Sequence, residues 1–197
     1  LEDDTEKKML AKGVSTEKIF RVANGVCIPD TPVENFRNEV VSVLFVGRLV
    51  PQKRCSDLIK ACSQLSKNGP DWHLNIIGDG PLREELESLS SAFEISDKVT
   101  FVGYQTDTLN SMARADILVL PSSKEGMSNV LLEAMSVGLP IVASRVGSAT
   151  YQLGHCGVEF LIEPGDIKLC SDKLNVLIKD VDLRERYGRC LRKRCMS

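Results

Sequence analysis

Two cations and two carboxylates stand at spacings that suit the binding of a phosphorylated ligand rich in hydroxyl groups. Arg48 and Lys53 lie five residues apart, just after a predicted strand. With the N-terminus of a helix predicted from Ser128 they could hold a diphosphate, because unpaired N–H groups and the helix dipole attract anions. Glu125 lies in the loop before that helix and Glu133 lies inside it, so the two carboxylates could accept hydrogen bonds from two sets of hydroxyls.

Each of these residues also has an ordinary structural interpretation. An Arg and a Lys near a loop are usually solvated surface charges, and a helix glutamate usually faces water. Paired carboxylates can also act as acid and base in glycoside hydrolysis, although such pairs work without a neighbouring diphosphate site. Glu133, however, lies within the apolar stretch 130–135. We therefore expect its carboxylate to be half-buried and to need a hydrogen-bond partner.

The elements that must position these residues alternate along the chain from residue 40 onward. Short apolar runs rich in β-branched residues alternate with segments of helical periodicity, which predicts a doubly wound α/β fold with a parallel sheet. Ligands of such sheets bind outside the carboxyl ends of the strands. In the helix that carries Glu133, Ser128 is the expected N-cap and Gly138 the expected residue that ends the helix. The predicted strands are 40–47, 72–78, 99–103, 116–121, 140–145 and 158–164. Helices are predicted at 57–67, from Pro81 through Phe93, around Leu109 and Met112, and at 128–137, 166–179 and 182–194.

Length, charge and hydropathy indicate one soluble domain with an appendage. The chain has 197 residues and a net charge of −2, from 25 basic and 27 acidic residues, which gives no bulk field for nucleic acid or anionic lipid. No apolar run approaches the roughly 18 residues of a membrane span, and no signal segment opens the chain. We expect residues 1–38 to be the end of a preceding region and a linker, and 39–197 to form the domain. Because the first residue is Leu1, we expect a fragment.

The seven cysteines show no Cys-x-x-Cys spacing, so neither a disulfide framework nor a zinc site is expected. Free thiols in a reducing cytoplasm are the expected state. His73 and His155 are the two histidines. We expect both to be incidental and unable to build a metal site with these cysteines.

The segment 125–135 resembles the Glu-x7-Glu signature of the retaining glycosyltransferases of family 4, which have the GT-B fold. Further segments resemble the family in the same order and spacing, so the likeness covers nearly the whole chain. Segment 47–53 resembles the phosphate segment of the family, 23–26 the end of the interdomain linker, and 183–194 a helix near the end of the domain. The other matching segments are 77–81, 99–104 and 138–144.

The resemblance implies a Rossmann-like domain that forms the C-terminal, donor-binding half of such an enzyme, with the N-terminal acceptor domain absent. Arg48 and Lys53 would hold the donor's diphosphate and neutralise the leaving group, and Glu125 would accept hydrogen bonds from the transferred sugar. Glu133 would bind the ribose, and Gly103 and Tyr104 would lie by the base. The catalytic set would be Arg48, Lys53 and Glu125. The substrate-binding set would be Gly47, Gly103, Tyr104, Gly126, Met127, Ser128, Asn129, Val130 and Glu133.

The same resemblance implies transfer of a sugar from a nucleoside diphosphate sugar to a hydroxyl of a glycan or lipid-linked saccharide. A UDP-sugar is favoured by its frequency in the family. We expect no cofactor and no metal, since no Asp-x-Asp motif stands where it would hold Mg²⁺ against phosphates. The expected partners are the nucleotide-sugar and the acceptor domain, with peripheral membrane contact through a lipid-linked acceptor, in the cytoplasm. Nucleic acid is not an expected partner.

Two positions depart from the family pattern. Tyr151 stands where a carboxylate is common after the fifth strand, and Arg54 stands where a glycine commonly follows the lysine. The first departure puts the usual role of the loop that carries Tyr151 in doubt. The second adds a third cation near the site.

Other functions stay open. A non-catalytic sugar-nucleotide-binding module is supported by the absent half. A dinucleotide-dependent oxidoreductase is a weaker alternative, because no Gly-x-Gly-x-x-Gly follows the first strand. A nucleic-acid role would depend on the basic segment 184–194, which we expect to be an exposed helix face bound by the absent domain or by a membrane surface.

Overall fold

The protein folds around one parallel sheet of six strands. The computed structural model describes residues 3–20, 24–28, 39–66 and 69–197. The spatial order of the strands is β3-β2-β1-β4-β5-β6, and every neighbouring pair is parallel. The strands are β1 (Val40–Val46), β2 (Asp71–Ile77), β3 (Val99–Gly103), β4 (Ile117–Leu120), β5 (Ile141–Ser144) and β6 (Leu161–Ile162).

Eight helices lie in the described residues, and seven of them flank the sheet. Among them, α2 contacts α3 and α7, and α8 contacts α5, α6 and α7. The interior of β1 and all of β4 are buried, as a sheet covered on both faces requires. The helices are α1 (Asp3–Ala11), α2 (Cys55–Ser63), α3 (Arg83–Ala92), α4 (Leu109–Ala113), α5 (Asn129–Ser136), α6 (Ala149–Gly157), α7 (Ile167–Lys179) and α8 (Val181–Cys195).

The doubly wound α/β fold predicted from the sequence is confirmed, with two local differences. Helix α6 was not predicted, because it contains two glycines, and Gly154 inside it has the non-helical angles φ 55° and ψ −150°. The last strand is two residues long rather than the predicted 158–164, since Val158–Phe160 forms a 3₁₀ turn. Part of the expected linker, residues 29–38, lies outside the described residues.

The prediction that all cysteines are free thiols is wrong for one pair. Cys156 of α6 and Cys190 of α8 form a disulfide with their Cα atoms 5.7 Å apart. They are 34 residues apart in sequence, and the packing of α6 on α8 brings them together. The other cysteines of the described residues are free, including the buried Cys55 and Cys62, whose thiol pKa values are raised by burial.

The basic segment at the end of the chain is only partly an exposed face, which corrects the prediction for three of its arginines. Arg184 is buried beside Asp116, 4.0 Å away, and donates to the carbonyl oxygens of Leu177 and Ile178 at the end of α7. Arg192 and Arg194 donate to carbonyl oxygens of α5 and α6. These side chains join helices, since unpaired carbonyls at helix ends need donors. No helix among the described residues is long and apolar enough to span a membrane.

Candidate functional site

The candidate site lies at the carboxyl edge of the sheet, where β1 is flanked by β2 and β4. Consecutive strands wind away from β1 in one direction, and the chain then crosses back to β4. This is the switch point at which open α/β sheets form a crevice. The residues that follow β1, β3 and β4 carry most of the predicted site, and α5 begins beside them.

Lys53 and Glu125 form the centre of one part of the site. Lys53 Nζ donates to Glu125 Oε1 at 2.6 Å, and the buried Ser122 hydroxyl donates to the same oxygen at 2.6 Å. The two charged side chains are 18% and 16% exposed, so the pair is shielded but reachable. Both hydrogen bonds use Oε1, and Oε2 accepts none from the described residues.

The loops that carry this pair are tied together by their backbones. The 3₁₀ turn Pro51–Lys53 brings the Gln52 carbonyl to the backbone N–H of Ser123, which donates to it at 2.8 Å. The Gln52 amide in turn donates to the Lys124 carbonyl at 2.8 Å. Lys53 and Glu125 are therefore held at a fixed separation although they are 72 residues apart.

Arg54 occupies a left-handed backbone conformation, with φ 50° and ψ 37°. Glycine adopts this conformation without strain, so the glycine that the resemblance implies at this position would fit the turn. The Arg54 side chain turns away to donate to Asp57 at 2.5 Å. The third cation noted in the sequence is thus engaged by a carboxylate of α2.

The loop before α5 is fixed by the first turn of α6. Gly147 has φ 54°, and a Cβ there would overlap the Glu125 carbonyl oxygen, so this close approach requires glycine. The Ser148 hydroxyl donates to the Gly126 carbonyl at 3.0 Å. The buried Gln152 amide accepts from Ser128 N–H at 3.2 Å and donates to the Ser128 carbonyl at 2.9 Å. The backbone of residues 125–128 is therefore preorganised.

Tyr151, the departure from the family carboxylate, takes no part in this network. Its side chain is exposed and lies beside Arg194, whose guanidinium carbon is 6.0 Å from the ring centre. The next residue, Gln152, makes the hydrogen bonds to Ser128.

Ser128 caps α5 as predicted, and its hydroxyl accepts from Leu131 N–H at 3.4 Å. Gly138 has φ 73° and stands just beyond the end of the helix, as expected of a stop residue. The helix start therefore faces the loop that carries Glu125, with its remaining N–H groups available to an anion.

Glu133 is half-buried, and Thr108 donates to its Oε2 at 3.2 Å. This agrees with the expectation that its carboxylate needs a partner. Glu133 lines a cavity of about 560 Å³ at the ends of β1, β2 and β3. Predicted site residues that share this lining are Gly47, Arg48, Tyr104 and Val130.

Arg48 is exposed at the wall of this cavity. Its side chain makes no ion pair or hydrogen bond with the described residues. Lys53 and Glu125 lie outside the cavity lining, but a Cβ at Gly47 would be 3.7 Å from Lys53 Cδ. Gly47 therefore joins the cavity to the Lys53–Glu125 pair.

A second cleft of about 290 Å³ adjoins the first and shares Glu133 and Thr108. Asn129 lines it together with residues 25–27. The Asn24 amide donates to Asn129 Oδ1 at 2.7 Å, and Asn24 N–H donates to Met127 Sδ at 3.1 Å. The segment 24–28 thus lies against the start of α5.

The remaining predicted site residues lie at the rim. Gly103 ends β3, and its carbonyl accepts from Gly78 N–H at 2.8 Å. Gly126 is exposed and contributes its backbone to the fixed loop.

Three residues of the site were missed by the sequence analysis. Thr108 positions Glu133, Ser122 holds Glu125, and Gln152 fixes Ser128. The polar run 105–108 after a predicted strand is a signal that could have identified Thr108. Ser122 likewise follows a predicted strand directly. Gln152 gave no signal, because its helix was not predicted.

A family model described as glycosyl transferases group 1 matches residues 30–194. The chain belongs to this glycosyltransferase family. The resemblance on which the sequence analysis drew is confirmed, and the Rossmann-like fold is that of GT-B C-terminal domains.

Among its relatives, the glycosyltransferase chain is 33% identical over 182 residues to an uncharacterized glycosyltransferase of Haemophilus influenzae. That match covers 91% of this chain and 51% of the relative. The chain is also 30% identical over 183 residues to the UDP-Gal:alpha-D-GlcNAc-diphosphoundecaprenol alpha-1,3-galactosyltransferase of Escherichia coli. That match covers 91% of this chain and 46% of the relative. The chain spans about half the length of these curated relatives.

Two solved structures resemble the same region. The apo form of the lipopolysaccharide outer core galactosyltransferase WaaB is 27% identical, with a TM-score of 0.74, over 98% of this chain and 58% of that one. Anabaena Alr3699/HepE in complex with UDP and glucose is 25% identical, with a TM-score of 0.72, over 80% of this chain and 44% of that one.

Proposed function

We propose that this chain is the donor-binding half of a retaining glycosyltransferase that uses a UDP-sugar. The sugar is transferred to a hydroxyl of a glycan or lipid-linked saccharide. The observation that carries the proposal is the convergence, at one sheet edge, of Arg48, the Lys53–Glu125 pair and Glu133 around the start of α5.

The two cations and the helix start suit a departing diphosphate. Transfer breaks the bond between the anomeric carbon and a phosphate oxygen, so negative charge develops on the diphosphate. Arg48 has no competing partner among the described residues. The Lys53 ammonium has three donor hydrogens and can donate to a phosphate while it keeps Glu125. Fixed donors in a sheltered cleft stabilise developing charge without reorganisation.

The carboxylates suit the hydroxyls at either end of the donor. Glu125 Oε2 is available for the hydroxyls of the transferred sugar, while Oε1 is occupied by Lys53 and Ser122. Glu133 lines both clefts, and Thr108 holds its Oε2. We assign this carboxylate to the ribose. Tyr104 at the far wall of the larger cavity is assigned to the base, together with Gly103.

The choice of UDP is supported by two relatives. The Escherichia coli relative is named for UDP-Gal and an alpha-1,3 linkage, and the Anabaena structure is described as a complex with UDP and glucose. Retention is supported by the Glu-x7-Glu resemblance of residues 125–133. The Escherichia coli name also includes a diphosphoundecaprenol acceptor, which supports a lipid-linked acceptor and peripheral membrane contact for the whole protein.

We propose that transfer needs no metal ion. Asp180-Val181-Asp182 is an Asp-x-Asp triplet in the sequence, but Asp180 caps α8 by accepting from Leu183 N–H at 2.8 Å. The charge of the diphosphate is then balanced by Arg48, Lys53 and the backbone N–H groups at the start of α5.

Comparing UDP with uridine tests the proposal, because uridine lacks the diphosphate. Arg48→Gln is expected to weaken UDP binding in titration calorimetry by roughly 10-fold or more, the range of a charged hydrogen bond, and to leave uridine binding unchanged. Arg145→Gln is the matched control, since Arg145 also follows a strand but is paired with Glu163 at 3.2 Å. Equal losses for UDP and uridine would contradict the diphosphate role of Arg48. UDP binding without sugar transfer by the full-length protein would favour a non-catalytic binding module.

A further inference from the structure

Three soft ligand groups converge at the contact between α6 and α8. His155 Nε2 lies 3.6 Å from Cys156 Sγ and 3.9 Å from Cys190 Sγ. All three ligand atoms lie within 4.8 Å of one another, with the histidine exposed and both cysteines half-buried. None of these residues belongs to the donor site described above.

We propose that His155, Cys156 and Cys190 form a zinc-binding site when the disulfide is reduced. Two thiolates and an imidazole are preferred zinc ligands, and a water molecule completes the fourth position. In a reducing compartment such a pair exists as two thiols.

The geometry of the cluster matches tetrahedral zinc. Bonds of about 2.3 Å to sulfur and about 2.0 Å to nitrogen place tetrahedral ligand atoms roughly 3.5–3.8 Å apart. The histidine nitrogen lies within this range of Cys156 Sγ, at 3.6 Å, and slightly beyond it from Cys190 Sγ, at 3.9 Å. The two sulfur atoms must move apart after reduction. A disulfide alone requires no histidine at this place.

The backbone of α6 is built to bring adjacent side chains to one point. In a regular helix, neighbouring residues do not face the same partner, yet His155 and Cys156 both meet Cys190. The helix is interrupted one residue earlier, at Gly154. A Cβ at Gly154 would overlap the guanidinium group of Arg194, which donates to the Gln152 carbonyl at 2.8 Å. The interruption is therefore held from α8, the same helix that supplies Cys190.

The chemical steps balance with a dithiol as the reductant. The dithiol gives two electrons and two protons to the sulfur–sulfur bond of Cys156 and Cys190, and it becomes a disulfide itself. Zinc then displaces the two thiol protons to solvent and binds the two thiolates and the neutral imidazole. Zinc and the disulfide therefore bind the same pair of cysteines and exclude each other.

The site also has a structural consequence. Zinc would join α6 to α8, as the disulfide does. The same helix α6 carries Gln152, which fixes the loop before α5 through Ser128. The bridge therefore supports the element that preorganises the donor loop.

Titration of the purified chain with zinc chloride tests the proposal. The chain is compared after dithiol reduction and anaerobic removal of the reductant, and in its oxidised form. The reduced chain is expected to bind one zinc per chain, and the oxidised chain none. Cobalt(II) is expected to give a thiolate charge-transfer band in the reduced chain only.

Two variants and two matched controls locate the ligands. His155→Ala and Cys190→Ser are expected to weaken zinc binding on the order of tenfold or more, since even residues behind metal ligands have effects of that size. His73→Ala and Cys27→Ser, which alter a histidine bonded to Thr100 and an exposed thiol, are expected to leave it unchanged. His155 is exposed, so its variant tests binding with little risk to folding. No uptake of zinc by the reduced chain, or unchanged uptake in both ligand variants, would overturn the proposal.

Discussion

Replacing Glu133 with alanine tests the assignment of this carboxylate to the ribose. The Glu133 carboxylate is half-buried, and Thr108 holds its Oε2 at 3.2 Å, so it is positioned before any ligand arrives. A charge-assisted hydrogen bond contributes about 1.5–3 kcal/mol. Glu133→Ala is therefore expected to raise the dissociation constant of UDP roughly 10- to 150-fold in titration calorimetry.

The decisive comparison uses 2′,3′-dideoxy-UDP, which lacks the ribose hydroxyls that Glu133 would bind. The wild-type protein is expected to bind this nucleotide more weakly than UDP, and Glu133→Ala is expected to add little further loss. Thr108→Val keeps the carboxylate but removes its positioning hydroxyl, and we expect an intermediate loss for UDP. Equal losses for both nucleotides in Glu133→Ala would refute the ribose assignment and give Glu133 a structural role. Thermal unfolding of each variant checks that the fold is retained.

Three further predictions follow from single contacts. Glu125→Ala is expected to weaken binding of a UDP-sugar much more than binding of UDP, because we propose that Oε2, which accepts no hydrogen bond from the described residues, binds the hydroxyls of the sugar; equal changes in calorimetry would contradict this. Arg184→Ala is expected to lower the free energy of unfolding by about 3–5 kcal/mol in urea, because it leaves the buried Asp116 without its neighbouring cation and the carbonyls of Leu177 and Ile178 without their donor. The exposed Arg186→Ala is expected to change it by about 0.5 kcal/mol or less. Burial raises the pKa of Asp116 against the opposing effects of Ser42 N–H and Arg184. The native state thus holds the proton more tightly, and its stability relative to Asp116→Asn falls as pH rises above about 4. A constant difference across pH would contradict that sign.

The parts of the site that could be predicted are those encoded locally. Buried runs of β-branched residues identify strands, and the residues that follow them must meet at one edge of a parallel sheet. This reasoning brought Arg48, Lys53 and Glu125 to the same edge. The apolar setting of Glu133 similarly indicated a half-buried carboxylate with a partner.

The parts that could not be predicted depend on how helices dock. Helix α6 carries two glycines and a break at Gly154, so its hydrophobic periodicity is too weak to identify a helix from the sequence. Without α6, neither the fixing role of Gln152 nor the pairing of Cys156 with Cys190 was visible. In the sequence, Arg184 cannot be distinguished from the exposed arginines of α8. Only the packing of α8 reveals that it is buried.

Thermal unfolding with UDP, GDP and ADP, each in EDTA and in Mg²⁺, tests the central claim most directly. A ligand present at about 100 times its dissociation constant stabilises the native state by about 2.7 kcal/mol. The account predicts that UDP raises the unfolding temperature equally in EDTA and in Mg²⁺, and that Arg48→Gln reduces the rise. Stabilisation that requires Mg²⁺, or no stabilisation by any of the three nucleotides, would contradict a metal-independent UDP-sugar site on this domain.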